Sequence, residues 1–304
     1  MSDWSINSKG FKAYLRLEKS LSANSIDAYM RDVDKLAHYC TDIRNVTSPT
    51  RVDLDLLKDF ITWVNEIGMS ARTQSRIISG IKAFYKYLLL EDAITGDPTE
   101  LLETPKIGRK LPDTLSTDEI DQLIGAIDLS KPEGHRNKAI LETLFGCGLR
   151  VSELVNMKLS DCYFEDGFVR IVGKGDKERL VPVSSFTVKL INQYVKGQRA
   201  HMDIQTGHED FVFLNRRGKQ LTRVMIFTII KRLTEVIGLK KNISPHTFRH
   251  SFATSLVEAG ADLRAVQEML GHESITTTEI YTHLDRNYLR QNIIDHHPRS
   301  KKKN

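Results

Sequence analysis

Across residues 96–112 the helical periodicity that fills the first hundred positions stops, and this break constrains the fold more than any other feature of the 304-residue chain. The stretch carries Asp97-Pro98, Pro105, Gly108, the basic pair Arg109-Lys110 and Leu111-Pro112. Proline removes a backbone donor and biases the residue before it away from helix, so no continuous element is expected to run through. The chain reads as a helical N-terminal domain over residues 1–103, a linker over 104–112 and a second domain over 113–304. Either part is long enough to bury a core.

In the first domain, helices are predicted over residues 5–18 and 23–40, with Ser22 or Asn24 capping the second, and a third runs from Pro49 and Asp53 through Trp63 to Ile67. Residues 70–90 are the most regular. On a helical wheel Ile77, Ile78, Ile81, Phe84, Tyr85 and Leu88 share one side, while Arg72, Ser75, Arg76, Ser79, Lys82 and Lys86 lie opposite. A face with cations and hydroxyls but no carboxylate suits a helix lying along a nucleic-acid backbone or in its major groove, which makes Arg72, Arg76, Ser79 and Lys82 candidate DNA contacts. A solvated surface helix would carry the same pattern.

The second domain is mostly helical, and Ser116-Thr117-Asp118-Glu119 resembles a helix start. Residues 168–172 and 179–183 are rich in Val, Ile and Leu and are joined by Gly173-Lys174-Gly175-Asp176-Lys177, the pattern of a hairpin. Phe164-Glu165-Asp166-Gly167 marks a further turn from a short first strand. The expected fold is mainly α with a small antiparallel β-sheet of three strands.

Forty-four Lys and Arg against 39 Asp and Glu give a net charge of +5, which permits a polyanionic partner without requiring one. Cys40, Cys147 and Cys162 have no C-x-x-C spacing, and their odd number argues against a disulfide framework. Residues 1–10 lack an apolar leader and no apolar run is long enough to span a bilayer, so a cytoplasmic protein without membrane insertion is expected.

The chemistry concentrates in residues 244–283, which read S-P-H-T-F-R-H, then L-G-H, then I-Y-T-H. A phenol is a poor nucleophile at neutral pH, so Tyr281 amid the cationic donors His246, Arg249 and His272 suggests covalent catalysis on a phosphodiester. Ser244-Pro245 fits a capped helix start that sets His246 and Arg249 one turn apart on the same face. Gly271 closes the preceding helix at Leu270 and leaves His272 just past its end. Arg150 follows Gly148-Leu149 at a helix break, where a guanidinium and the N-terminal dipole both favour an anion; Glu153 would buttress it, or form an ordinary surface ion pair with it. Lys174 at the hairpin tip suits a proton donor to a leaving oxygen or a solvated turn residue, with Lys177 and Arg179 as nearby competitors. His246 and His250 stand i, i+4 as in zinc helices, yet no H-E-x-x-H and no cysteine or carboxylate cluster accompanies them, so neither a metal nor another cofactor is expected.

Arg150, Lys174, His246, Arg249, His272 and Tyr281, in this order and with the lysine between two strands, make the chain resemble the tyrosine recombinases of the phage integrase family, and within it the Xer subfamily. The resemblance covers nearly the whole chain and rests on G-L-R-V-S-E-L at 148–154, G-K-G-D-K-E-R at 173–179, P-H-T-F-R-H at 245–250, L-G-H at 270–272, Y-T-H at 281–283 and the ending H-H-P-R at 296–299. Cys147 departs from the alanine-threonine usual at that place, which is not catalytic.

The resemblance implies a helical core-binding, SAM-like DNA-binding domain followed by a mixed α/β catalytic domain. It implies that Tyr281 is the nucleophile, that Arg150 and Arg249 bind the scissile phosphate, that Lys174 protonates the leaving 5′ oxygen, and that His246 and His272 complete the pocket, with His246 accepting the tyrosine proton. The expected reaction passes through a 3′-phosphotyrosine link and needs neither ATP nor metal. Double-stranded DNA is the implied partner, bound by a heterotetramer with a sister Xer recombinase on paired sites, with the DNA translocase FtsK as activator. The short N-terminus favours resolution of chromosome dimers at a dif-type site over an integrase of a mobile element. A relaxing activity of the type IB topoisomerase kind and a catalytically silent DNA-binding regulator are the other readings. Residues 285–297, with an apolar stripe of Tyr288, Leu289, Ile293 and Ile294, are expected to dock on a neighbour or to pack on their own domain.

Overall fold

The computed structural model describes residues 3–105, 108, 113–173, 177–271 and 283–300. The chain divides into two compact units, Met1–Lys110 and Leu111–Asn304.

The first unit is built from α1 (Asp3–Leu17), α2 (Ala23–His38), α3 (Leu54–Glu66) and α4 (Ala71–Leu90). Side chains set the starts: Ser22 Oγ accepts from Ser25 N at 3.3 Å, Asp53 Oδ1 from Leu56 N at 2.8 Å and Ser70 Oγ from Thr73 N at 3.3 Å. Each bond satisfies one of the donors a helix start leaves open. Ser22, not Asn24, is therefore the cap of α2, whose far end widens into a π-helical turn, Tyr39–Ile43. Phe11, Leu36, Leu57, Phe60 and the six apolar residues of the α4 wheel are all buried in one core. α1 comes so close to α4 that any side-chain carbon at Gly10 would overlap the Tyr87 hydroxyl, which is why glycine stands there.

The second unit begins with α5 (Thr117–Gly125), where Ser116 and Glu119 close a reciprocal capping box, Ser116 N donating to Glu119 Oε2 at 2.8 Å and Glu119 N to Ser116 Oγ at 3.2 Å. α6 (Gly134–Cys147) is buried along nearly its whole length and leads into the short α7 (Val151–Val155). The sheet is antiparallel in the order β1 (Cys162–Tyr163), β2 (Phe168–Val172), β3 (Glu178–Pro182); β3 thus starts one residue before the predicted 179 and ends before Val183. Ile171 pairs with Arg179 and Val169 with Val181, and all four are buried, so period-2 alternation turns an arginine inward. α8 (Ser185–Lys196), α9 (Arg223–Val236), α10 (Pro245–Glu258), α11 (Leu263–Leu270) and α12 (His283–His296) complete the unit.

α12 packs on its own unit. Leu289 and Ile293 are buried, whereas Tyr288 and Ile294 are 43% and 47% exposed, so the predicted four-residue stripe is halved. Beyond it, His297 lies between the rings of Phe145 and Phe252 at 4.9 and 5.4 Å, and Arg299 reaches Glu142 at 2.6 Å and Asp121 at 2.7 Å. Burial pushes the His297 imidazole down to about 3, so it is neutral at physiological pH. The three cysteines are free thiols pushed up to about 12 by burial, which makes them inert. Among the described residues no helix is long and apolar enough to cross a membrane.

Candidate active site

α6 ends at Gly148 in the left-handed region (φ 58°), where a Cβ would overlap the Phe252 ring. The turn brings Arg150 to the cap position of α7 in extended conformation. Its backbone N–H and its Nη1 donate to the two oxygens of Glu153, each at 2.8 Å. The surface ion-pair reading is corrected at this point: Glu153 is only 5% exposed, and Arg179 forks onto the same carboxylate at 2.9 and 2.8 Å. Arg249 Nη1 stands 3.9 Å from Glu153 Oε2.

On their other side the same three guanidiniums meet the end of α11. That helix stops at Gly271, also left-handed (φ 64°, ψ 56°), and its last carbonyls have no partner within the helix. Each takes a different arginine. Arg179 Nε donates to Met269 O at 2.8 Å, Arg249 Nη2 to Leu270 O, and Arg150 Nη2 to Gly271 O at 3.2 Å. Arg249 Nη1 also donates to Gly148 O at 2.8 Å, tying α10 to the α6 turn. Among the described residues, the negative end of the α11 dipole and a single carboxylate thus hold three cations, leaving a net charge of +2 on these four side chains.

Burial would raise the Glu153 carboxyl, but the bonds from Arg179 and Arg150 outweigh it and hold the group below the usual carboxylate range. Burial and the neighbouring Arg150 lower Arg249 to about 10, against the pull of Glu153, so it stays charged at neutral pH. Desolvating such a cluster is costly, and a net positive, partly exposed cluster recovers that cost when an anion arrives. Arg150, whose side chain is 36% exposed, is the guanidinium most open to one.

α10 starts as predicted, with Ser244 at its cap and Pro245 in its first turn. Arg249 is buried against the cluster, while His246, one turn earlier, is exposed, as is His250. The predictions for Lys174, His272 and Tyr281 fall outside the described residues. Their described neighbours do meet the cluster: a Cβ at Gly173 would stand 3.7 Å from Arg179 Nη1 and 4.0 Å from Glu153 Oε1, and one at Gly271 3.1 Å from Arg179 Cδ. Arg179 is buried and fully engaged, which corrects its reading as a competitor of Lys174 for protonating a leaving group. Its inward position was legible in the strand alternation; its partners were not.

On α4, Arg72, Arg76 and Ser79 are exposed and Lys82 is half-buried, opposite the core face. The face is not free of carboxylate, because Asp32 of α2 pairs with Arg76 Nη1 at 2.5 Å and packs against Gly80, where a Cβ would lie 2.8 Å from Asp32 Oδ2. Burial raises the Asp32 carboxyl, with Arg76 opposing.

Residues 113–287 match the phage integrase family, and residues 9–92 match the N-terminal SAM-like domain of phage integrases. The chain belongs to the phage integrase family, the tyrosine recombinases, and is a DNA strand-exchange enzyme. It is 40% identical to tyrosine recombinase XerD of Listeria innocua serovar 6a over 290 residues, 95% of this chain and 98% of the relative. Among solved structures it is similar to XerH site-specific recombinase bound to difH substrate in a pre-cleavage complex, with 26% identity, a TM-score of 0.67 and coverage of 93% of this chain and 83% of that one. The post-cleavage complex of XerH with palindromic difH substrate gives 25% identity and a TM-score of 0.70 over 94% and 84% of the two chains.

Proposed function

We propose that this protein is a Xer-type recombinase that cuts and rejoins double-stranded DNA at a dif-type site, resolving chromosome dimers in the cytoplasm. The observation that carries the reading is the cluster of Arg150, Arg179 and Arg249 around Glu153 and the α11 end, a preorganised cradle with two uncompensated positive charges. Arg150 and Arg249 donate to the nonbridging oxygens of the scissile phosphate, and their grip tightens as charge gathers in the pentavalent transition state. Tyr281 attacks, His246 accepts the phenol proton, Lys174 protonates the departing 5′ oxygen and His272 completes the pocket. The exposed position of His246 one turn from the buried Arg249 supports this division of labour. The broken bond's energy stays in the 3′-phosphotyrosine, so rejoining needs no ATP.

Arg72, Arg76, Ser79 and Lys82 on α4 hold the duplex in this reading, the first unit binding DNA and the second doing the chemistry. Two protomers of this chain and two of a sister Xer recombinase act on paired sites, with FtsK as activator, and α12 with its tail exchanges onto a neighbour during assembly. A supercoiled plasmid with two dif-type sites tests the reading. Strand exchange between the sites in the presence of a second Xer protein is expected; relaxation without exchange would place the chain with topoisomerase-like enzymes. A Lys174→Ala variant should recover cleavage on a duplex with a 5′-thio leaving group, which needs no acid.

A further inference from the structure

Arg179 joins several parts of the candidate site from a buried position. It is 6% exposed, lies on the inward face of β3, forks onto Glu153 and donates Nε to Met269 O. Three segments bearing the proposed catalytic groups converge on it. Glu153 passes its influence to Arg150, which shares the same Oε1 at 2.8 Å. Gly173, which precedes Lys174, packs close to its Nη1, and Gly271, which precedes His272, packs close to its Cδ and Nε. Gly271 leaves little room for more than hydrogen, since a Cβ there would lie 3.1–3.3 Å from three Arg179 atoms, whereas a Cβ at Gly173 would make ordinary contact with Nη1 at 3.7 Å.

We propose that Arg179 is a positioning residue for the cleavage reaction: it fixes Glu153, and through it the Arg150 guanidinium, while setting the bases of the segments that carry Lys174 and His272. This inference rests on the recombinase reading above. A purely space-filling residue would not need a fork. The planar guanidinium satisfies both Glu153 oxygens and the Met269 carbonyl at once, which an ammonium on a flexible stem does not reproduce. Holding the carboxylate with two bonds leaves it one orientation, and Arg150 is directed by that orientation. The charge matters too, because without Arg179 the buried Glu153 would neutralise more of the positive field that Arg150 and Arg249 present to a phosphate.

The test compares wild-type protein with Arg179→Lys on two nicked suicide duplexes. One carries the ordinary scissile phosphodiester; the other carries a methylphosphonate, which lacks one charged nonbridging oxygen and so depends less on Arg150. On the ordinary duplex, single-turnover covalent capture should slow roughly 10- to 100-fold in the variant while duplex affinity stays within about twofold. On the methylphosphonate the deficit should shrink to about threefold or less. An equal deficit on both substrates would mean a general structural role and overturn the proposal, as would an undiminished rate on the ordinary duplex. Thermal melts and circular dichroism verify that the variant is folded; if it is not, Arg179→Met combined with Glu153→Gln removes both buried charges together and is read by the same ratio. No adduct from the wild-type protein would overturn the recombinase reading and this inference with it; a wild-type adduct with an unaffected variant overturns this inference alone.

Discussion

Replacing Glu153 by glutamine keeps the shape of the cluster and removes its single negative charge. The remaining amide oxygen can keep only one of the two Arg179 bonds at 2.9 and 2.8 Å and one of the two from Arg150, both without charge, and the amide nitrogen presents donors toward guanidiniums that are themselves donors only. Breaking a buried ion pair from one side costs about 3–5 kcal/mol. For a domain of this size each kcal/mol moves the melting temperature by about 2–4 °C, so the second unit should melt roughly 6–20 °C lower. The variant should also gain affinity for anions, because three guanidiniums then face one another uncompensated. Phosphate at ten times its Kd would restore about 1.4 kcal/mol. Calorimetry in buffers with and without phosphate reads both effects. A melting temperature within 2 °C of wild type, or phosphate stabilising both proteins equally, would refute the idea that Glu153 is the electrostatic centre of the site.

Acidification should undock the tail. The His297 imidazole is held at about 3 by burial, against about 6.5 when free, so the undocked state binds more protons between these values and the docked state loses stability as pH falls through that window. At pH 5 the loss is about 2 kcal/mol, and the protection factors for hydrogen exchange over residues 283–300, taken against the intrinsic rate at each pH, should fall relative to pH 7; identical protection at both pH values would contradict it. Arg76→Ala should weaken duplex binding by about 1–3 kcal/mol in fluorescence anisotropy, and Asp32→Asn should strengthen it, because it frees the Arg76 guanidinium from a competing carboxylate; an unaltered affinity in both would remove α4 from the DNA interface. Gly148→Ala combines a left-handed backbone with overlap against Phe252 and should destabilise the second unit by about 2 kcal/mol or more in urea melts, with a smaller cost indicating that the turn relaxes freely.

What was legible in the sequence follows from which forces are local. The α4 wheel, the cap at Ser22, the helix start at Ser116 and the Gly271 stop all arise from neighbours within one or two turns, and all appear as read. The apolar stripe of α12 was overread: adjacent residues on a helix point about 100° apart, so Leu289 and Ile293, four apart, take the core while Tyr288 and Ile294 turn outward. The Arg179–Glu153 fork joins residues 26 apart, and the carbonyls of Met269, Leu270 and Gly271 belong to the backbone, which carries no residue-type signal. The Asp32–Arg76 pair escaped for the same reason, since a wheel shows one helix and not the neighbour packed on it. The roles of Lys174, His272 and Tyr281 rest on family resemblance.

The most direct measurement is mass spectrometry of the covalent complex trapped on a nicked suicide duplex. The peptide containing Tyr281 should carry a nucleotide through a 3′-phosphate, and a Tyr281→Phe protein should bind the same duplex without forming it. A modification on any other side chain, or normal adduct yield from Tyr281→Phe, would contradict the account.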